Sequence, residues 1–200
     1  RIGFFDAKPY DRRWFDCLRG DEIEISYFEG RLRPATVRVA QGFDAVCVFV
    51  NDEVDAAVVD ALAGYGVRLV ALRCAGYNNV DLQAASGRLR VVRVPGYSPH
   101  AVAEHALALM MTLNRKTHRA FNRTREHNFT ISGLEGFDLH GKTCGVIGTG
   151  RIGQAFLAIC RGFGMELAAH DTFPNPALDV HYVSMDELLR RSDILSLHCP

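Results

Sequence analysis

A chain of 200 residues, 48% of them apolar, is long enough to bury a substantial core in one domain or two small ones. Its 23 basic residues balance 23 acidic ones, so no global field draws it to nucleic acid or to an anionic membrane, and specificity must reside in a site. The six cysteines are scattered without a C-x-x-C pair, no apolar span could cross a membrane and no secretory pattern opens the sequence, so a reducing, cytoplasmic setting with cysteines in the core is expected.

In chain order, β-type runs at 1–5, 22–28, 45–50, 68–74 and 90–94 alternate with helical patterns at 11–19, 34–41, 54–63 and 82–86. Trp14, Phe15 and Leu18 share one face of the first helix. Such alternation predicts an α/β domain with a parallel, doubly wound sheet, whose ligands lie beyond the carboxyl ends of the strands. Candidate site positions are therefore 49–52, 74–79 and 95–98. Within C-A-G-Y-N-N-V-D (74–81), small residues leave the Ala75 and Gly76 N–H groups able to hold a carboxylate. A plain turn in which Asn79 or Asp81 caps the next helix is the competing reading.

P-G-Y-S-P (95–99) breaks the pattern and marks a domain crossing, giving domains at 1–98 and 99–200. Ser98 suits an N-cap and Pro99 the first helical position. One long helix is predicted from there to about Arg125, with Val102, Ala106, Leu109, Met110 and Leu113 on a wide apolar face that should be buried. Glu104, His105 and the basic residues of 115–125 read as structural, and the eight histidines show no metal-ligand spacing. Residues 128–141 form an irregular arm carrying Phe129, Ile131, Leu134, Phe137 and Leu139. A subunit contact is expected of it, with packing on its own domain as the alternative.

The stretch K-T-C-G-V-I-G-T-G-R-I-G (142–153) carries the most chemistry. A β-run (143–147) meets Gly148, Gly150 and Gly153, a helix follows from Arg151 to about Gly162, and a second β-run (166–170) ends at Asp171. Gly148 permits the sharp turn, Gly150 lets backbone approach a pyrophosphate, and Gly153 lets helix pack on strand. Asp171 follows Gly153 by about eighteen residues, close to the spacing at which an acid accepts hydrogen bonds from the adenosine ribose and repels a 2′-phosphate. NAD is the cofactor expected, in preference to NADP. A helix at 185–191 and a third strand at 193–198 complete the pattern.

R-C-A-G-Y-N-N-V-D (73–81), V-P-G-Y-S-P-H-A-V-A-E-H-A (94–106), G-K-T-C-G-V-I-G-T-G-R-I-G (141–153) and the final S-L-H-C-P together resemble the D-2-hydroxyacid dehydrogenases, most of all the fermentative bacterial D-lactate dehydrogenases, over the whole chain. The resemblance implies a flavodoxin-like substrate domain, the first part of a Rossmann NAD-binding domain, and a site in the cleft between them. It implies that the Ala75 and Gly76 backbone holds the substrate carboxylate and that Tyr97 and Phe49 line the substrate pocket. Arg151 and Ile152 would meet the pyrophosphate, Asp171 the ribose, and Cys199 and Pro200 the adenine side. The implied reaction is reversible hydride transfer from NADH to pyruvate, giving D-lactate, in a homodimer or homotetramer. A sister enzyme for a bulkier 2-keto acid, or a non-catalytic NAD sensor of the same fold, are the alternatives.

The arginine, glutamate and histidine that such chemistry needs follow Pro200 in the family pattern, so none is assigned here. Three strands also leave a Rossmann sheet incomplete, with one side of the 143–147 strand expected to be unpaired.

Overall fold

The structure, a computed structural model, describes residues 1–199. The chain forms two compact units, Arg1–Tyr97 and a second beginning at Ser98.

In the first unit β1 (Ile2–Phe4), β2 (Ile25–Tyr27), β3 (Ala45–Val48), β4 (Leu69–Leu72) and β5 (Arg90–Arg93) alternate with helices α1 (Pro9–Leu18), α2 (Ala56–Gly64) and α3 (Leu82–Ala85). The strands pair in parallel in the order β2-β1-β3-β4-β5, the flavodoxin-like arrangement. Every residue of β3 is buried, as a central parallel strand with both faces covered requires, and Val46, Val48 and Val70 join Val58 and Leu62 of α2 in the core. Asp55 and Asp81 start α2 and α3 by accepting the Val58 and Ala84 amides, each at 2.9 Å. The helix expected at 34–41 is only a 3-10 turn, Val37–Ala40. The Thr36 hydroxyl accepts the Arg33 amide (3.1 Å) and donates to the Arg31 carbonyl (2.6 Å), tying down the backbone that a longer helix would use. Trp14 and Leu18 of α1 face solvent.

The second unit begins with Ser98 accepting the Ala101 amide (3.2 Å) and Pro99 opening α4 (Pro99–Arg115). The single helix expected to run to Arg125 is two: Lys116 is left-handed (φ 51°), and α5 (Thr117–Arg125) starts after it. The break coincides with docking of the arm. Asn114 donates to the Phe137 carbonyl (2.8 Å) and accepts the Phe137 amide (2.9 Å), and Lys116 Nζ donates to the Glu135 carbonyl. Nor is the apolar face of α4 wholly buried. Ala103 is buried and Ala106 and Met110 pack on the core, whereas Val102, Leu109 and Leu113 are exposed, because the apolar face is wider than the side of α4 that packs against α6. In the arm Leu139 is buried while Phe129 and Ile131 are exposed.

Strand β6 (Thr143–Ile147) leads into α6 (Arg151–Gly162), followed by β7 (Glu166–His170), β8 (His181–Tyr182), α7 (Met185–Arg191) and β9 (Ile194–Leu197). The sheet order is β8-β7-β6-β9, all parallel, which is strands 3-2-1-4 of a Rossmann sheet. The expectation of three strands is thus corrected to four. The two-residue β8 lies in a polar stretch without periodicity, and the strand near residue 194 is the fourth, crossing to the other side of β6. Consequently β6 is paired on both flanks, not one. All six cysteines are free; Cys47, Cys74, Cys144 and Cys160 are buried, but Cys17 and Cys199 are exposed and do not belong to the core. No helix among the described residues is long and apolar enough to cross a membrane.

Candidate functional site

The glycine loop of the second unit sits where β6 gives way to α6. Gly148 has φ +92°, a conformation open to glycine, and a side chain there would come within 2.8 Å of the His198 carbonyl oxygen and 2.9 Å of the Cys199 nitrogen. At Gly153 a side chain would collide with the Gly148 carbonyl, so the helix reaches its distance from the strand only because that position is bare. Gly150 differs: nothing lies within 4 Å of where its Cβ would stand. Space beside this backbone is therefore open in the direction a side chain would take. Gly150 is also the N-cap of α6 and offers no side-chain cap, which leaves the first-turn amides, including those of Arg151, Ile152 and Gly153, directed at that space. An anion such as a pyrophosphate matches this donor set in charge and in room.

Asp171 stands at the end of β7, next to the loop. Its Oδ2 accepts the Thr149 amide (2.6 Å) and the Thr149 hydroxyl (2.8 Å), and its Oδ1 accepts the Phe173 amide (2.9 Å). These donors, the Phe173 amide foremost, hold the Asp171 carboxyl below the usual carboxylate range, so it is ionised at neutral pH. The fixed negative charge suits ribose hydroxyls and disfavours a phosphate. Cys199 is exposed, with its backbone beside Gly148, while Pro200 lies outside the described residues.

In the first unit the ends of β3 and β4 bring the Phe49 loop against the 74–81 turn. Buried Asp52 accepts the Leu32 amide (2.7 Å) and the Phe49 amide (2.6 Å), and Asn79 donates to the carbonyls of Phe49 (2.9 Å) and Asp52 (2.8 Å). Burial pushes the Asp52 carboxyl upward against the pull of those amides. The Arg73 guanidinium lies 4.5 Å from the Phe4 ring centre and 4.7 Å from that of Phe49, and donates to the Asp6 carbonyl (2.7 Å). Beyond this frame Ala75 is half-buried with its carbonyl accepting Arg93 Nη1 (2.6 Å), and Gly76 is exposed with no atom within 4 Å of a prospective Cβ. The turn combines both sequence readings: Asp81 caps α3, and the backbone at Gly76 remains accessible. Tyr97, the last residue of the unit, is 68% exposed.

Sequence reasoning singled out neither Thr149 nor Tyr182, and it marked Asp52 only as one of the candidate positions 49–52 and Arg73 only as the first residue of the 73–81 motif, without a role for either. Each acts through a contact distant in sequence, and the one available signal was position, since Asp52 and Arg73 flank strand ends already marked as ligand-facing.

Comparison with known proteins adds independent findings. A family model described as D-isomer specific 2-hydroxyacid dehydrogenase, catalytic domain, matches residues 2–183. Over its full length the chain is 49% identical to the D-lactate dehydrogenase of Escherichia coli strain K12 and 49% identical to a 2-hydroxyacid dehydrogenase homolog of Haemophilus influenzae, in each case spanning 62% of the relative's length. The solved apo-structure of D-lactate dehydrogenase from Escherichia coli superposes with a TM-score of 0.92, covering 100% of this chain and 65% of that one. A D-lactate dehydrogenase from Aquifex aeolicus, solved in complex with NAD and lactic acid, superposes with a TM-score of 0.84 at 28% identity, covering 100% of this chain and 61% of that one.

Proposed function

This chain belongs to the D-isomer specific 2-hydroxyacid dehydrogenase family, and from that premise we propose that it contributes the carboxylate-binding turn and the cofactor loop of an NAD-dependent D-lactate dehydrogenase. The observation that carries the cofactor assignment is the open space over Gly150 at the uncapped start of α6, flanked by the tethered, ionised Asp171. The α6 amides bind the pyrophosphate, Arg151 and Ile152 flank it, Asp171 accepts from the adenosine ribose, and Cys199 borders the adenine. Bound NADH supplies the hydride that reduces the C2 carbonyl of a 2-keto acid.

The residues of the first unit recognise the other reactant. Amides of Ala75 and Gly76 hold its carboxylate, and Phe49 and Tyr97 border the group attached to C2. The Asp52–Asn79 and Arg73 contacts keep Phe49 and the turn in one geometry, which orients the keto acid without moving a proton. The keto acid favoured is pyruvate, by analogy with relatives named D-lactate dehydrogenase. A cytoplasmic homo-oligomer is part of the same reading.

The test is loss of NADH absorbance in the complete polypeptide with pyruvate and with branched and aromatic 2-keto acids. Highest kcat/KM with pyruvate is expected. Preference for a bulkier acid would reassign the substrate, and tight NADH binding without turnover of any 2-keto acid would make the protein a sensor.

A further inference from the structure

Asp171 is the end of a longer hydrogen-bonded series that runs out to β8. The Thr149 side chain is buried, and its Oγ1 lies 2.8 Å from Asp171 Oδ2 and 2.9 Å from the Tyr182 hydroxyl. The Asn175 amide donates to that same hydroxyl at 3.1 Å. Directions follow from the donor inventory. An ionised carboxylate can only accept, so the single Thr149 proton is committed to Asp171. Thr149 Oγ1 must then accept from Tyr182, whose own oxygen is occupied by the Asn175 amide. The series reads Asn175 N–H to Tyr182 O–H to Thr149 O–H to the Asp171 carboxylate, with every proton pointing the same way.

The accounting at Asp171 makes this consequential. A carboxylate offers about four acceptor sites. Oδ2 is filled by the two Thr149 donors, and Oδ1 takes the Phe173 amide, so the open acceptor site is on Oδ1. A carboxylate free to rotate would expose either oxygen; this one cannot.

We propose that Tyr182 and Thr149 are specificity-determining positioning residues, which lock the Asp171 carboxylate so that one oriented lone pair and a fixed negative charge face the cofactor ribose. The inference rests on the cofactor assignment above. Neither residue needs to touch the ligand. Without the lock the carboxylate can turn away from a 2′-phosphate as readily as from a 2′-hydroxyl, so affinity for NADH falls and the penalty against NADPH shrinks.

The experiment titrates NADH and NADPH by fluorescence into the complete polypeptide and four variants, with melting of each variant without cofactor as the folding control. Loss of one neutral hydrogen bond is worth roughly a two- to tenfold change in binding. The ratio of NADPH to NADH dissociation constants should fall by that order in Tyr182→Phe and further in Thr149→Val, while Thr149→Ser, which keeps the hydroxyl, retains it. General loosening would weaken both cofactors alike and leave the ratio unmoved. Asp171→Ala separates the two levels of inference. If it collapses the ratio while Tyr182→Phe and Thr149→Val do not, the positioning role is overturned and the cofactor assignment stands; if it leaves the ratio unchanged, both are overturned.

Discussion

Replacing Gly150 by alanine isolates ligand binding from folding. The backbone there has φ −64°, which alanine adopts freely, and no atom lies within 4 Å of the added carbon, so strain and collision are absent. The remaining structural cost is the poorer N-cap, about 1 kcal/mol. For a bound pyrophosphate the same methyl fills the space that brings phosphate oxygens to the α6 amides. Displacing one charge-assisted hydrogen bond costs about 1.5–3 kcal/mol, which raises Kd for NADH roughly ten- to a hundredfold. Gly153→Ala is the contrast. Its carbon meets the Gly148 carbonyl, a backbone group that cannot swing aside, so a destabilisation of about 1–3 kcal/mol accompanies the loss of binding. Denaturant unfolding and fluorescence titration with NADH measure the two quantities separately. If Gly150→Ala binds NADH within about twofold of the parent, the loop is not the pyrophosphate cradle, because such a change corresponds to far less than one charged hydrogen bond.

Three further outcomes are expected. Gly76→Val, placed where no neighbour is crowded, should raise KM for pyruvate at least about tenfold by filling the space before the Ala75–Gly76 amides, with NADH affinity kept; unchanged pyruvate kinetics would remove the turn from the site. Phe156→Ala, at a ring that is 1% exposed in the second unit, should destabilise that unit by about 3–5 kcal/mol in denaturant melts. Asp193 is held below the usual carboxylate range by the Thr143 amide and, secondarily, by Lys142, so its folded pKa lies under the unfolded value. Its stabilisation is therefore complete above about pH 4 and is lost as pH falls through the depressed value, a loss that Asp193→Asn should abolish in acid titrations followed by circular dichroism.

The fold was legible wherever local chemistry and tertiary packing agree. β3 and β6 are short apolar runs because both faces are buried, and Ser98, Asp55 and Asp81 start helices by hydrogen bonds that span only three residues, with Pro99 at the first helical position after Ser98. Legibility ended where a distant partner decides the outcome. The helix pattern through Lys116 is locally sound, and it breaks because Asn114 and Lys116 bind the arm some twenty residues on. β8 is a strand only because Ala168 and Ala169 of β7 pair with it. At the candidate site the glycines and Asp171 announced themselves by spacing, whereas Thr149 and Tyr182 are ordinary residues until β7, β8 and the loop are side by side.

The fit of Gly148 against the backbone of residues 198 and 199 also bears on how the protein is made. A loop whose shape depends on the residues after β9 cannot settle when β6 and α6 leave the ribosome, since its neighbour has not yet emerged. The first unit contains all five of its strands by Arg93 and can fold while synthesis continues, but the nucleotide loop must wait for the fourth strand of its sheet. Ribosome-stalled chains ending just before β9 would accordingly carry a finished first unit and a glycine loop still without its wall.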